Sequence, residues 1–131
     1  MLRIQSPLPD ELEQLAYDVI GCCVQVHRTL GPGLLETIYG RAVILELTAR
    51  GIPFEAEKAI PVRYRGELLC HQRLDLLVAG QLVVEMKSVD HLDSIHVAQV
   101  LSYLRVADVR LGLLINFNVS ILKDGVRRVI L

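Results

Sequence analysis

The spacing of hydrophobic and polar residues changes near residue 54 and divides the chain into a helical part and a mostly extended part. Before that point, apolar residues recur at helical spacing, which predicts one helix over about residues 10–30 and a second over about residues 34–50. Gly31-Pro32-Gly33 ends the first helix, and Gly51-Ile52-Pro53 ends the second. We therefore expect two N-terminal helices ahead of a sheet.

The remainder of the chain predicts strands with one further helix among them. Caps between Asp90 and Asp93 open this third helix, which continues to about Val106. A continuous apolar run at residues 110–117 is typical of a strand covered on both faces. The other predicted strands are residues 54–60, 61–64, 68–78 and 82–88, together with a last hairpin over residues 121–131 that has Lys123-Asp124-Gly125 at its tip. This order predicts an α/β fold, a mixed β-sheet flanked by helices, in a single domain over residues 1–131.

Three charged residues interrupt the apolar runs of the central predicted hairpin: Asp75, Glu85 and Lys87. A three-residue loop at 79–81, with its glycine in the left-handed conformation, would put Asp75 opposite Glu85 and Arg73 opposite Lys87 on one face. A two-residue turn would send the two acids to opposite faces. With the three-residue loop, the other face holds apolar pairs only: Val78 with Leu82, Leu76 with Val84, and Leu74 with Met86.

Two carboxylates at opposed positions could share one cation, because their Cβ atoms lie roughly 4.5–5.5 Å apart. Without a cation they repel each other, and one tends to stay protonated. A divalent metal with a water to activate accounts for Asp75, Glu85 and Lys87 together. The alternative is a cross-strand salt network in which Lys87 and Arg73 neutralise the acids.

Polar residues on the helices could join this site. The third helix carries His96, Gln99 and Tyr103 on one stripe, which would face the carboxylates if the helix packs back over the sheet. The alternative is a buried Gln–Tyr pair within the core. Glu36, in the first turn of the second helix, either interacts with the helix dipole, worth about 0.3–1 kcal/mol, or reaches the metal as a third carboxylate. The spacing leaves both alternatives open.

The composition excludes several classes of protein. A hydrophobic fraction of 52% over 131 residues fits one aliphatic core and excludes a disordered chain. No apolar run is long enough to cross a bilayer, and residues 1–11 lack the layout of a signal peptide, so we expect a cytoplasmic protein without a membrane partner. Cys22, Cys23 and Cys70 form neither a disulfide framework nor a zinc site, and we expect all three to be buried.

The net charge of −1 argues against a strongly basic nucleic-acid binder, although basic residues cluster at 63–73 and 123–128. No phosphate-binding Gly-rich loop ending in Lys-Ser or Lys-Thr occurs. The Gly-x-Ser-x-Gly nucleophile motif is also absent. Nucleotide hydrolysis and serine-dependent acyl transfer are therefore disfavoured.

With Asp75, Glu85 and Lys87 in place, the chain resembles the PD-(D/E)XK nuclease superfamily. Within it, the sequence is similar to the small GxxExxY proteins of bacteria and archaea, whose motif is matched by Gly33, Glu36 and Tyr39. The resemblance runs from about residue 8 to residue 131. Further matched blocks are His27 with Leu30-Gly31-Pro32-Gly33, Arg73-x-Asp75, Glu85-x-Lys87, His96-x-x-Gln99-x-x-x-Tyr103, residues 113–117 and Leu122-Lys123-Asp124-Gly125. In one departure, Leu74 precedes Asp75 where the superfamily pattern has proline; the superfamily tolerates this.

This resemblance implies a restriction-endonuclease-like core and Mg²⁺-dependent hydrolysis of phosphodiester bonds, with Mn²⁺ as a substitute ion. It implies that Asp75 and Glu85 are metal ligands and that the Met86 main-chain carbonyl is a third. Lys87 would orient or deprotonate the attacking water and stabilise the developing charge.

The resemblance also suggests roles for the helical residues. Gln99 and Tyr103 match residues that help to hold the site or the phosphate. Glu36 matches an acidic residue that some members contribute from an early helix.

Three functions stay open at this point. The first is a Mg²⁺-dependent nuclease acting on DNA or, with less support, on RNA. The second is a module that binds nucleic acid or a partner protein without turnover, which the near-neutral charge favours. The third is a scaffold in which the charged residues form a salt network. The sequence leaves open a homodimer or a partner protein.

Overall fold

The structure of the protein is a computed structural model that describes residues 6–131. Residues 1–5 lie outside the described residues. They are part of the predicted domain and of the N-terminal segment that was considered for a signal peptide. The described residues form a five-stranded mixed sheet with helices on both faces, which confirms the predicted α/β fold. The elements are α1 (Asp10–Leu30), α2 (Glu36–Ala49), β1 (Phe54–Tyr64), β2 (Glu67–Val78), β3 (Leu82–Lys87), α3 (Ser94–Ala107), β4 (Leu111–Asn116), a 3₁₀ helix (Leu122–Gly125) and β5 (Val126–Ile130).

The five strands lie in chain order across the sheet. β3 and β4 run parallel, connected through α3, and the other neighbouring strands are antiparallel. Because β3 and β4 are parallel, their carboxyl ends lie side by side, and Lys87 is paired with Asn116. This edge of the sheet is where parallel strands of α/β proteins usually present functional residues.

Two hydrophobic clusters cover the two faces of the sheet. α1 and α2 pack on one face, against alternate residues of β3 and β4, including Val84, Met86 and Leu113. α3 packs on the other face, where Val100 and Leu104 approach Gly112 of β4. All six residues of β4 are buried, as expected for a strand covered on both sides. Within residues 6–131, no helix combines the length and the hydropathy that a membrane crossing requires.

The predicted C-terminal hairpin is wrong. Residues 122–125 form the 3₁₀ helix, and β5 pairs with β4 instead of folding back on residue 121. The side chain of Leu122 is buried, and Gly125 packs so tightly against the main-chain oxygen of Asn116 that a Cβ there would clash. Burial against the end of β4 therefore overrides the turn signal of Lys123-Asp124-Gly125.

β1 is one continuous strand, where two short pieces were predicted. Pro61 lies within it and is tolerated because β1 is an edge strand whose outer N–H groups need no partner in the sheet. The expectation that all cysteines are buried is also wrong for Cys70, which is exposed. At that position β2 has β1 as a neighbour but is no longer paired with β3.

Candidate active site

β2 and β3 separate at the two carboxylates. Their main-chain pairing covers residues 76–78 and 82–84 in the predicted register, with the three-residue loop at 79–81. Beyond Leu76, the Asp75 N–H donates to Glu85 Oε1 at 2.9 Å, and the Met86 N–H donates to Asp75 Oδ2 at 2.9 Å. The two side chains thus take the place of main-chain carbonyls between the strands.

The predicted pairing of Leu74 with Met86 on one face is wrong. Met86 packs in the cluster under α1 and α2, whereas Leu74 packs in the cluster under α3. The alternation of β2 is interrupted at Asp75, next to a position on β1 where Glu57 has a φ of 53°. The predicted pairing of Arg73 with Lys87 is also absent, because Arg73 pairs with β1 and Lys87 with β4.

A cavity of about 660 Å³ lies between α2 and the β1–β2 pair, directly beside Asp75. It combines acidic groups, two guanidinium groups and an apolar wall. Its lining includes Glu36, Thr37, Gly40, Arg41 and Ile44 from α2, Ala56 and Glu57 from β1, and Arg73, Asp75 and Met86 from the sheet. Arg41 and Glu57 are not among the residues singled out from the sequence. The spacing 36, 40, 44 along one face of α2 is the signal that would have pointed to this wall.

Glu85 is the buried acid of the site, with 5% of its surface exposed. Burial first, and the neighbouring Asp75 carboxylate second, raise the pKa of Glu85 to about 8, and Lys87 acts in the opposite direction. Arg73 Nη2 lies 3.4 Å from Glu57 Oε1 and not beside the two acids. Among residues 6–131, no Lys or Arg forms an ion pair within 4.0 Å of Asp75 or Glu85, so the salt network considered above is not formed there.

Glu36 shares the cavity with Asp75. Although the residue is exposed, partial burial of its carboxyl raises its pKa, Lys87 lowers it, and Asp75 raises it again. Glu36 and Asp75 both line the cavity, and the charge of Lys87 is near enough to act on the Glu36 carboxyl. In the part of the chain that the structure describes, no three His, Cys, Asp or Glu side chains are arranged to hold an ion by themselves, so Glu36 does not complete a three-carboxylate cluster.

Tyr103 is the member of the predicted helical stripe that reaches the acids. It is 6% exposed, and its hydroxyl accepts a hydrogen bond from Gln72 Nε2 at 3.1 Å. Burial, and then the negative charge of Glu85, raise the pKa of Tyr103. A partly buried Gln–Tyr pair therefore exists, but its glutamine is Gln72 of β2 and not Gln99, which is exposed one turn earlier on α3.

His96 has a local role at the start of α3. Its Nδ1 accepts a hydrogen bond from the Asp93 N–H at 3.0 Å, so the ring caps its own helix. Its ring also lowers the pKa of Glu36, which places it near the cavity.

Tyr39 holds the segment that leads into α2. Its ring is fully buried and stacks on Phe117 with centroids 4.5 Å apart. Its hydroxyl donates to the Gly31 carbonyl and accepts from the Leu34 N–H at 3.1 Å. These bonds fix residues 31–34, and so the position of Glu36 two residues later. Of the two motif residues, Glu36 thus lines the cavity, and Tyr39 holds the segment that positions Glu36.

These features define the class of protein: an α/β domain with an acidic site and a lysine at the carboxyl end of a central strand. A family model described as the PD-(D/E)XK nuclease superfamily matches residues 13–129, so the chain belongs to this superfamily. Membership supports a nuclease-type function, a nucleic-acid substrate and a divalent metal in general terms. No curated protein and no solved structure matches the chain.

The raised pKa of Glu85 predicts a pH-dependent stability in the metal-free protein. The folded state keeps this proton up to a pKa of about 8, whereas an ordinary glutamate loses it near 4.5. The stabilisation that this proton gives the folded state is complete below the pKa of the unfolded state. It is lost as the pH rises through the pKa of the folded state. We expect the free energy of unfolding to fall by roughly 3–4 kcal/mol between about pH 5 and 8, measured by urea unfolding in EDTA.

Glu85→Gln should flatten this pH dependence, because the amide does not titrate. Glu46→Gln is the matched control, since Glu46 lies in a partly exposed i,i+4 pair with Arg50 near the C-terminal end of α2, away from the two acids. Equal slopes for Glu85→Gln and the unchanged protein would contradict the assignment.

Tyr39→Phe should lower the stability by about 1–2 kcal/mol, because it leaves the Leu34 N–H without its partner while keeping the stack on Phe117. Thermal or urea unfolding measures the change. Tyr17→Phe, at a tyrosine that is 74% exposed, is the control and should have little effect. Similar losses in both variants would argue against the role of the Tyr39 hydroxyl.

Proposed function

We propose that this protein is a Mg²⁺-dependent nuclease that hydrolyses phosphodiester bonds in DNA, with Mn²⁺ as an effective substitute. The observation that carries the proposal is the Asp75–Glu85 pair. These two acids accept hydrogen bonds from the main chain, one of them is buried, and no Lys or Arg of the described residues forms an ion pair with either. A buried carboxylate with a second one beside it is costly unless a cation joins them.

The donor set fits a magnesium ion. Mg²⁺ prefers oxygen ligands and commonly takes one or two carboxylates, several waters and a substrate phosphate. Asp75 and Glu85 would hold it, with the Met86 carbonyl as a main-chain ligand and Glu36 reaching it from the cavity. Asp75 and Glu85 thus supply the usual one or two carboxylates, and Glu36, which does not cluster with them among the described residues, would be an additional ligand. A bound ion of this kind supplies charge neutralisation at the scissile phosphate and lowers the pKa of a bound water.

In this proposal, Lys87 acts on the attacking water. It is half-buried at the end of β3, and its charge acts on both Glu85 and Glu36. Its ammonium group can orient the water and stabilise the charge that develops on the phosphate. As a free amine it would instead act as the base that accepts a proton from this water.

The remaining site residues serve the substrate. Tyr103, held by Gln72 beside Glu85, supports the acidic pair from the α3 side. Gln99 is exposed on the same helix face, four residues before Tyr103, where its amide can contact a phosphate oxygen.

We further propose that residues 1–131 form one domain of the GxxExxY group and act in the cytoplasm, alone or as a homodimer or with a partner protein. The role of Tyr39 in placing Glu36 supports this group, since it gives the motif spacing a physical purpose.

The alternative is a module that binds nucleic acid or a partner protein without cleaving. The net charge of −1 favours it, because weak attraction to phosphates fits slow or absent turnover. Both functions use the same fold, so only a test for phosphodiester cleavage distinguishes them.

A cleavage assay distinguishes them. We expect labelled single- or double-stranded DNA to be cut with Mg²⁺ or Mn²⁺ and to stay intact in EDTA. Asp75→Asn, Glu85→Gln and Lys87→Ala should each reduce the rate roughly 10²-fold or more, as expected when a group that stabilises transition-state charge is removed. Labelled RNA in the same assay tests the choice of nucleic acid.

Glu46→Gln, about 15 Å along α2 from Glu36, should cleave within twofold of the unchanged protein. Cleavage that survives Asp75→Asn would reveal a contaminating nuclease, and binding without cleavage would favour the alternative function. Identical pH–rate profiles for the unchanged protein and Lys87→Arg would speak against Lys87 as a base.

A further inference from the structure

The β1–β2 pair extends far beyond the rest of the sheet. β2 pairs with β3 at residues 76–78, whereas residues 59–64 of β1 and 67–73 of β2 pair with each other. We call residues 59–73 the arm. Six strand residues span about 20 Å, so the arm reaches well past the acidic site. Residues 63–71 are all exposed. The base of the arm packs on α3 through Ile60 and through the Gln72–Tyr103 hydrogen bond, so the exposed part is residues 63–71. A two-stranded ribbon without further cover is marginally stable by itself, and a bound surface would stabilise this outer part.

The arm is basic within a chain of net charge −1. It holds Arg63, Arg65 and Arg73 and a single acid, Glu67. Arg73 pairs with Glu57 next to the site. Within residues 6–131, neither Arg63 nor Arg65 forms an ion pair, so both cations of the outer arm are available to an anionic partner.

At the tip of the arm, an arginine occupies a turn position that usually holds other residue types. Arg65 and Gly66 connect the strands with φ values of 52° and 82°. Asn, Asp or Gly is the usual first residue of such a turn, because a left-handed conformation is unfavourable for longer side chains. The chain therefore accepts local strain and puts a cation at the outermost point of the ribbon.

We propose that the arm enters the major groove of a DNA duplex and holds it against the acidic site, an inference that rests on the proposed nuclease function. The B-form major groove admits a two-stranded β-ribbon, whereas the major groove of an RNA duplex is too deep and narrow. The arm leaves the sheet at Asp75, so a duplex along the arm also passes the carboxylates.

A second copy of this chain fits the arm less well than DNA. A two-fold contact between arms would bring together two surfaces of the same net positive charge. Three large hydrophobic residues of the arm are exposed, Tyr64, Leu68 and Leu69. The two leucines can contact sugars and thymine methyl groups in the groove. Self-association is thus an outcome to be tested, not the occupant that the charges favour.

The test uses the full chain with Asp75→Asn, which prevents cleavage, and fluorescence anisotropy with a labelled duplex of about 20 bp. Arg63→Gln with Arg65→Asn should weaken duplex binding about tenfold and reduce the slope of log affinity against log salt by about 1.8, the value for two lost phosphate contacts. The control, Arg105→Gln with Arg110→Gln, removes two exposed arginines at the opposite end of the parallel strands and should change neither quantity.

The single variant Arg65→Asn separates an effect on duplex binding from an effect on folding. Asparagine suits the left-handed position, so this variant should melt at the same temperature as the unchanged protein or higher while binding duplex more weakly. A purely structural role for Arg65 predicts a lower melting temperature with unchanged binding and would overturn the inference.

The remaining outcomes separate the two proposals. If the unchanged protein cleaves and binds duplex and the arm variants do so equally well, the arm inference fails and the nuclease function stands. If the unchanged protein neither cleaves nor binds nucleic acid, both fail. If sedimentation shows a dimer that Leu68→Ser with Leu69→Ser dissociates without loss of DNA binding, the arm belongs to a second copy and the inference is overturned.

Discussion

The site depends on two hydrogen bonds that main-chain amides donate to the carboxylates of Asp75 and Glu85. Asp75 and Glu85 occupy the gap where β2 and β3 part, and each accepts an N–H that a carbonyl would otherwise take. β2 and β3 therefore need not stay side by side beyond this point. β3 continues beside β4 to Lys87, while β2 continues with β1 away from the sheet. One local interaction thus concentrates negative charge and opens the space beside it.

The apolar pattern was sufficient to predict the register of the hairpin, because a slip by one residue would have exposed its whole apolar face. The same argument failed at Leu74. Alternation holds only along a continuous ladder, and the ladder with β3 ends at Leu76, so Leu74 is free to turn toward α3. The C-terminal hairpin failed for a related reason: Gly125 serves close packing against Asn116 rather than a turn. Both errors come from contacts between residues distant in sequence.

Side-chain hydrogen bonds between distant segments hold the loops at the carboxyl edge, and such partners could not be read from local pattern. Ser88 Oγ donates to the Leu34 carbonyl at 2.7 Å, which ties the end of β3 to the entrance of α2. Asn116, 2% exposed, accepts from the Val89 N–H at 3.1 Å and donates to its carbonyl at 2.9 Å. The motif residues could be recognised from the sequence, but the support they give to the acidic site became visible only in three dimensions. Gln72, the partner of Tyr103, belongs to the same category.

Once the charged residues are located in the structure, the near-neutral net charge no longer argues against a nucleic-acid substrate. Affinity for a polyanion depends on the cations that contact phosphates, not on the sum over the chain. Three acids, Asp10, Glu11 and Glu13, lie in the first turn of α1, where the helix dipole stabilises them. The arm, in contrast, carries three arginines and one glutamate beside the site. Since Glu85 is buried and its burial opposes ionisation, the site itself repels an approaching phosphate less than two exposed carboxylates would. The distribution of charge is therefore compatible with a phosphate at the acids and a duplex along the arm.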